Sequence, residues 1–192
     1  MAREKYHAAG GALLLAVVVA GGILAASKPE EIPIKVRKTP EQVVLYTIHR
    51  GPLEKVGSTI AELMTTGMQK GAYPSGPISF MYLNDSKAVS SEHWLIEIRV
   101  TVAQETLSLA GTLGKFMDVK KLAGVEVAVT GKPEGLASSE PIYRRLYTWI
   151  FENGYLPTEG PSEAFLTNAE TQDYSRMKTE ITVPLRKVSQ AR

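Results

Sequence analysis

The chain has 192 residues, of which 44% are hydrophobic and 22% are charged, and its formal net charge is +2. These proportions suit one globular domain with its own core plus a smaller appendage, and they do not indicate a dedicated nucleic-acid surface. Cysteine is absent, which excludes disulfides, thiolate nucleophiles and cysteine-ligated metal centres. Because there are only three dispersed histidines and no Walker A, G-x-G-x-x-G or G-x-S-x-G motif, we expect no metal ion and no cofactor.

The first predicted element is the uncharged run AAGGALLLAVVVAGGILAAS at residues 8–27. Its length is near the minimum for a helix that crosses a hydrocarbon core, so we expect residues 1–27 to be a single-pass transmembrane signal anchor. The slight excess of Lys and Arg before the run favours a cytoplasmic N-terminus and an extracytoplasmic C-terminal domain. The alternatives are a signal peptide cleaved after Ala26, which would give an exported soluble form, and a buried helix of a soluble fold.

Residues 28–42 are charged and rich in proline, which predicts a linker that ends in an edge strand. A domain over residues 43–190 follows, and within it a strand–helix–strand–strand pattern occurs twice. Repeat one covers residues 43–102, a connector with room for a short helix covers 103–124, and repeat two covers 125–188.

The two repeats match at an offset of about 83 residues. The matched pairs are Leu63 with Leu146, Gly71 with Gly154, Pro74 with Pro157, and Glu97 with Glu180. The strands are predicted at 43–48, 78–83, 93–102, 125–130, 162–167 and 177–187, and the glycines at 71 and 154 are predicted to end the two helices.

This pattern predicts an α+β fold with pseudo-twofold symmetry. Each half buries one face of its sheet under its own helix, and the other faces, or the sheet edges, meet across the axis and leave a cleft. Pockets at such junctions are common ligand sites.

The repeated unit resembles the GyrI-like domains, which are also the effector-binding domains of some AraC-type and MerR-type regulators. The resemblance is carried by GPISFMYLND in repeat one and by WIFENGYLPTEGPSEAFL and TEITVPL in repeat two, and it covers residues 32–188. It implies a ligand in the cleft, aromatic walls, and a glutamate on the final strand that falls on Glu180. Members of the family sense lipophilic cations, hydrolyse cyclopropane-bearing genotoxins or inhibit DNA gyrase.

Two features set this sequence apart from those regulators and inhibitors. No helix-turn-helix motif is found in residues 1–42, which argues against a DNA-binding regulator. Export of the domain would also keep it away from gyrase. We therefore expect a small-molecule ligand, membrane attachment through the N-terminal helix and no nucleic-acid partner; whether there is a protein partner is left open.

Glu180 is the first candidate site residue. It shares a strand face with Thr182 and Pro184, while the apolar side chains of that strand point the other way. In an apolar cleft its carboxylate would pair with a cationic ligand or act as a general base; the structural alternative is a glutamate exposed to water on an open sheet. Its repeat mate Glu97 is the second candidate, and an ion pair with Arg99 is its structural alternative.

Three aromatic side chains are candidates for the cleft walls: Phe80 and Tyr82 on one strand face, and Tyr147 on the second helix. Such rings suit planar or cationic ligands, although a core or surface position is the alternative for each.

The first functional hypothesis is a membrane-tethered, non-enzymatic domain that binds a small, largely apolar ligand, cationic or neutral, with Glu180 as charge partner. The second is a hydrolase that acts on reactive small molecules of the cyclopropanoid type, with Glu180 as general base and a tyrosine hydroxyl as acid. The third is a module that binds a partner protein. The sequence leaves open whether the protein is an enzyme.

Overall fold

The computed structural model describes residues 32–85, 87–133, 139–166 and 177–188. Within these ranges the chain forms nine β-strands and two α-helices. The strands are β1 (Lys35–Lys38), β2 (Gln42–Arg50), β3 (Pro74–Tyr82), β4 (Leu95–Val102), β5 (Met117–Leu122), β6 (Glu126–Lys132), β7 (Tyr155–Pro157), β8 (Ser162–Phe165) and β9 (Thr179–Lys187). The helices are α1 (Val56–Gln69) and α2 (Glu140–Glu152), and short 3₁₀ turns lie at Leu53–Lys55, Ser91–His93 and Gln104–Leu109.

Both helices follow from apolar residues at helical spacing. In α1 the buried positions include Ile60 and Leu63, and in α2 they are Ile142, Leu146 and Ile150. This spacing places them on one stripe that faces the sheet. The chain leaves each helix through a glycine with positive φ, Gly71 at 90° and Gly154 at 74°, a conformation that glycine adopts at low cost.

The strands form one antiparallel sheet in the order β1-β6-β9-β8-β3-β4-β2-β5, and β7 pairs with β9 off this path. The two repeats join at β3 and β8, where Phe80 lies directly opposite Glu163. The sequence left open whether the two half-sheets meet by their faces or by their edges. They meet by their edges and form one continuous sheet.

Both helices cover the same face of this sheet. Phe80, Glu163 and Ile181 lie side by side across β3, β8 and β9, and directly paired residues point to the same side. Phe80 belongs to the core under α1, and Ile181 belongs to the core under α2. The opposite face carries neither of the two described helices.

The outer strands are exchanged between the repeats. β1 precedes repeat one but pairs with β6 of repeat two, and β5, which lies in the predicted connector, pairs with β2 of repeat one. Arg37 on β1 and Lys120 on β5 are 83 positions apart, as are Glu97 and Glu180. The cations bind equivalent carboxylates, Arg37 with Glu180 at 2.5 Å and Lys120 with Glu97 at 2.7 Å. The repeated unit thus includes one more strand at its start than the sequence pattern predicted.

The predicted membrane anchor at residues 8–27 lies outside the described residues. Among the residues that are described, no helix is both long enough and apolar enough to cross a membrane. The edge strand predicted within residues 28–42 corresponds to β1.

Candidate functional site

A cavity of about 880 Å³ lies on the helix-bearing face, where the two repeats meet. Its volume is within the range of small-molecule sites. Its walls come from β3, β6, β8, α2 and the loops beside them: Leu53, Phe80, Tyr82, Leu83, Asn84, Asp85, Lys87, Trp94, Lys132, Ser139, Glu140, Tyr143, Arg144, Tyr147, Pro161, Glu163 and Phe165.

Glu163 is the buried carboxylate of this cavity. Alternation along β8 turns Glu163 and Phe165 towards the helices and Ala164 away from them, and Glu163 is only 4% exposed. The hydroxyl of Tyr143 donates a hydrogen bond to Oε1 of Glu163. The hydrogen-bond donor to this carboxylate thus lies on α2, the helix that lines the same cavity.

Three tyrosines line the cavity together with this carboxylate, and they are neutral hydrogen-bonding groups. Burial, followed by the charge of Glu163, raises the pKa of Tyr82 and of Tyr143 far above the ordinary value of 10.0. Burial also raises the pKa of Tyr147. Because the phenols remain protonated at neutral pH, each keeps a hydroxyl that can donate a hydrogen bond.

The remaining walls combine aromatic rings with a second buried charge. Phe80 and Phe165 meet edge to face with ring centroids 4.6 Å apart. Lys132, the last residue of β6, also lines the cavity and is 1% exposed. At the mouth, Glu140 bonds Lys87 at 2.7 Å and Arg144 at 3.2 Å.

Of the residues predicted from the sequence, Phe80, Tyr82 and Tyr147 line the cavity. Glu180 does not. It lies opposite Ala164 and Gly131 on the other face of the sheet, where its side chain is 29% exposed and pairs with Arg37.

The expectation that Glu180 points into the cleft is therefore not met, and the reason is geometric. The half-sheets join edge to edge into one sheet, and the cavity of about 880 Å³ lies on the side of that sheet that carries the helices. Only the residues of β9 that share a face with Ile181 can turn towards it, and Glu180 alternates with them.

Glu97 also lies on the face away from the cavity. Its carboxylate bonds Arg99 and Lys120 at 2.5 and 2.7 Å, and its side chain is 8% exposed. Burial pushes the pKa of Glu97 upward, but the hydrogen bonds and charges of Lys120 and Arg99 outweigh burial and hold it below its usual range. The ion pair with Arg99 that the sequence offered as the structural alternative is present.

Sequence reasoning missed Glu163, although the repeat contained a signal for it. At an offset of 83, Glu163 falls on Phe80 and Phe165 falls on Tyr82, and both first-repeat residues had been predicted to line the cleft. Alignment of Gly76-Pro77 with Gly160-Pro161 needs one inserted residue, which sets Glu163 against Ser79 and hid the correspondence. The pairing of β3 with β8 places Phe80 and Glu163 directly opposite each other.

The described residues form an antiparallel sheet with two helices on one face and an aromatic cavity where the two repeats meet, and such junctions are common places for small-molecule sites. A family model described as "GyrI-like small molecule binding domain" matches residues 34–186. The chain belongs to this GyrI-like family. A comparison with curated protein sequences finds no significant match.

Solved structures share the fold. The crystal structure of the EcmrR C-terminal domain matches with a TM-score of 0.62 and 18% identity, over 82% of this chain and 99% of that one. EcmrR in the cryo-EM structure of its complex with DNA matches with a TM-score of 0.63 and 19% identity, over 82% of this chain but only 58% of the EcmrR chain. A hydrolase from Listeria innocua matches with a TM-score of 0.56 and 13% identity, over 80% and 91% of the two chains. At these identities the likeness concerns the fold.

Proposed function

We propose that this domain binds a small, largely apolar ligand, cationic or neutral, in the cavity between its repeats, with Glu163 as the polar partner. One observation carries the proposal: a buried carboxylate lies in the wall of an aromatic cavity of about 880 Å³. A buried carboxylate is stabilised by an opposite charge or by donated hydrogen bonds, and aromatic faces attract cations. We therefore assign to Glu163 the role of charge partner that the sequence had suggested for Glu180.

The tyrosines support this assignment because they add polar contacts without adding charge. Tyr82 and Tyr147 present hydroxyls beside apolar ring surface, so a ligand can be both stacked and oriented. Tethering of the domain to a membrane by residues 8–27 remains part of the proposal and rests on the sequence alone.

A matched pair of ligands tests the role of Glu163. Benzyltrimethylammonium and neopentylbenzene have nearly the same shape and differ by one positive charge. We expect Glu163→Gln to weaken binding of the cation by about tenfold or more, equivalent to about 1.4 kcal/mol, and to leave the neutral ligand nearly unchanged. Titration calorimetry on residues 28–192 measures both affinities, and a thermal shift provides an independent readout.

Glu180→Gln is the matched control, because it makes the same chemical change on the other face of the sheet. It should alter neither affinity. Equal loss of both ligands in Glu163→Gln, or loss of the cation in Glu180→Gln, would contradict the proposal.

A hydrolase is the second candidate, and the hydrogen bond from Tyr143 to Glu163 favours it. On this hypothesis Glu163 takes a proton from a water molecule whose oxygen attacks a strained ring carbon. Tyr143 gives its proton to the carbon that leaves, and Glu163 then returns a proton to Tyr143 along their hydrogen bond. On this hypothesis Glu163→Gln and Tyr143→Phe abolish turnover of cyclopropane-bearing substrates while binding is retained, whereas a pure binding domain shows no turnover in any variant.

A further inference from the structure

We infer that the ligand of this cavity carries a hydrogen-bond acceptor, such as a carbonyl oxygen, which the hydroxyl of Tyr147 binds about one ring's length away from the ligand group that binds Glu163. The inference rests on the proposed function and narrows its ligand class. It is carried by the place of Tyr147 in the cavity wall and by the bonding of its neighbour Tyr143.

Tyr143 and Tyr147 lie on the same face of α2, because residues four apart in a helix lie one above the other. Both line the cavity, and both rings pack against the core under α2. The hydroxyl of Tyr143 donates to Glu163. The hydroxyl of Tyr147 makes no hydrogen bond within the part of the chain that the structure describes, so its proton is available to a bound molecule.

Packing of the helix on the sheet does not require a hydroxyl at either position. At the offset of 83, Tyr143 falls on Ile60 and Tyr147 falls on Met64 of α1, and both of these apolar side chains pack in the core under α1. The phenols of repeat two thus add hydrogen-bonding groups to a helix face that is apolar at the same positions of repeat one. One of the two hydroxyls bonds Glu163, and a ligand acceptor accounts for the other.

The helix also sets how far the acceptor lies from the carboxylate. Four residues advance a helix by about 6 Å, so the backbones that carry Tyr143 and Tyr147 are about one turn apart. Burial and then the charge of Glu163 raise the pKa of Tyr143, whereas burial alone raises the pKa of Tyr147. The hydroxyl of Tyr147 is therefore the more distant of the two from the carboxylate. Two groups at the para positions of a benzene ring have a similar separation.

The exclusion of water explains why the ligand needs an acceptor. Tyr147 is half-buried, and a neutral phenol has one hydrogen to donate, which water can accept while the cavity is open. A ligand that fills the cavity excludes this water, and a wholly apolar ligand leaves the donor without a partner, which lowers affinity. A ligand oxygen at this point restores the hydrogen bond.

Two matched cations test the inference: (4-acetylbenzyl)trimethylammonium and (4-isopropylbenzyl)trimethylammonium. They have nearly the same shape and the same fixed charge, and they differ by a carbonyl oxygen in place of a methyl group. Tyr147→Phe removes only the hydroxyl. We expect it to weaken binding of the acetyl compound by about fivefold or more and to leave the isopropyl compound equally tight or tighter. Titration calorimetry on the full chain measures both affinities, and an unchanged ratio of the two would overturn the inference.

Tyr155→Phe is the matched control, because Tyr155 stacks on Trp149 and is not among the described residues of the cavity wall. It should change neither affinity. An equal loss of the acetyl compound in this variant would overturn the role of Tyr147.

Infrared spectroscopy tests the same contact in the wild type, so its result does not depend on the folding of a variant. The carbonyl stretch of the acetyl compound, isotope-labelled at the carbonyl carbon, should lie at lower frequency in the complex than in a solvent without hydrogen-bond donors, because a donated hydrogen bond weakens the C=O bond. A band at the position of the unbonded carbonyl would overturn the inference.

Failure of the inference differs from failure of the proposed function. If Glu163→Gln weakens binding of neither cation, the proposed role of Glu163 in binding is lost. If both cations depend on Glu163 but Tyr147→Phe leaves the ratio of their affinities unchanged, only the inference about the acceptor fails.

Discussion

Glu97 and Glu180 occupy equivalent positions in the two repeats, but they differ in how much the fold depends on them. Glu97 is nearly buried between Arg99 and Lys120, whose side chains are 13% and 33% exposed. Glu180 meets one arginine, Arg37, which is half exposed. Exposed pairs contribute about 0–1 kcal/mol, whereas removing one partner of a buried pair costs about 3–5 kcal/mol.

We therefore predict that Glu97→Gln lowers the free energy of unfolding by about 2–3 kcal/mol at pH 7, slightly less than for a fully buried pair. Glu180→Gln should lower it by no more than about 1 kcal/mol. Urea unfolding followed by circular dichroism measures both values. Similar losses in the two variants would show that burial does not distinguish the two sites.

The stability difference between the wild type and Glu97→Gln should also depend on pH. Because the pKa of Glu97 is lowered in the folded state, its contribution is present above the unfolded pKa of about 4.3 and is lost as pH falls through the folded value. The stability difference between wild type and Glu97→Gln should thus shrink below about pH 4. A difference that stays constant from pH 7 to pH 3 would contradict this assignment.

At the scale of elements, the contact of α1 with the sheet depends on a glycine. A Cβ atom built on Gly67 would lie 2.4 Å from Cδ2 of Leu45, and Leu45 on β2 is completely buried. An alanine at position 67 would therefore require the buried side chain of Leu45 to shift. In contrast, a Cβ atom on Gly57 of the same helix meets nothing within 4 Å.

We predict that Gly67→Ala destabilises the domain by about 1–3 kcal/mol, because overpacking outweighs the gain in helix propensity. Gly57→Ala, the matched control, should be neutral or stabilise by up to about 1 kcal/mol. Thermal and urea unfolding measure the change in stability of each single variant relative to the wild type. A stabilised Gly67→Ala would mean that Leu45 moves aside without loss.

At the scale of the whole molecule, β1 precedes repeat one in sequence but belongs to the half of the sheet formed by repeat two, because it pairs with β6. Ile34 and Val36 pack against the core under α2, and β1 covers the outer edge of β6. A chain that begins at residue 39 should thus lose about 2–4 kcal/mol of unfolding free energy and should self-associate through the uncovered edge.

A chain that begins at residue 32 is the control for this prediction, because it keeps β1 and all of its described contacts. Urea unfolding and size-exclusion chromatography compare the two. If the chain from residue 39 is monomeric and as stable as its control, β1 is dispensable.

Local pattern was sufficient for most elements, because side-chain alternation and helical spacing record which face of an element is buried. In β9 the predicted apolar face, Ile181 with Val183, is the buried one.

β5 was missed since MDVKKL has few β-branched residues and its partner β2 lies far away in sequence. The side of the sheet that carries the cavity was also beyond local pattern, because alternation does not say whether two half-sheets join by face or by edge. Glu180 was placed in the cleft by the family resemblance, and its strand pattern could not test that placement while the side of the cavity was unknown.

The exchange of β1 and β5 has a consequence for how the chain folds during synthesis. β5 follows repeat one directly, so the first half of the sheet can assemble as soon as it has been made. β1 is made earlier than either repeat, yet Lys35 pairs with Val129, and contacts between such distant positions form slowly. Until the ribosome has released residues 126–132, this first strand has no partner, and its three cations, Lys35, Arg37 and Lys38, discourage pairing with strands of other nascent chains.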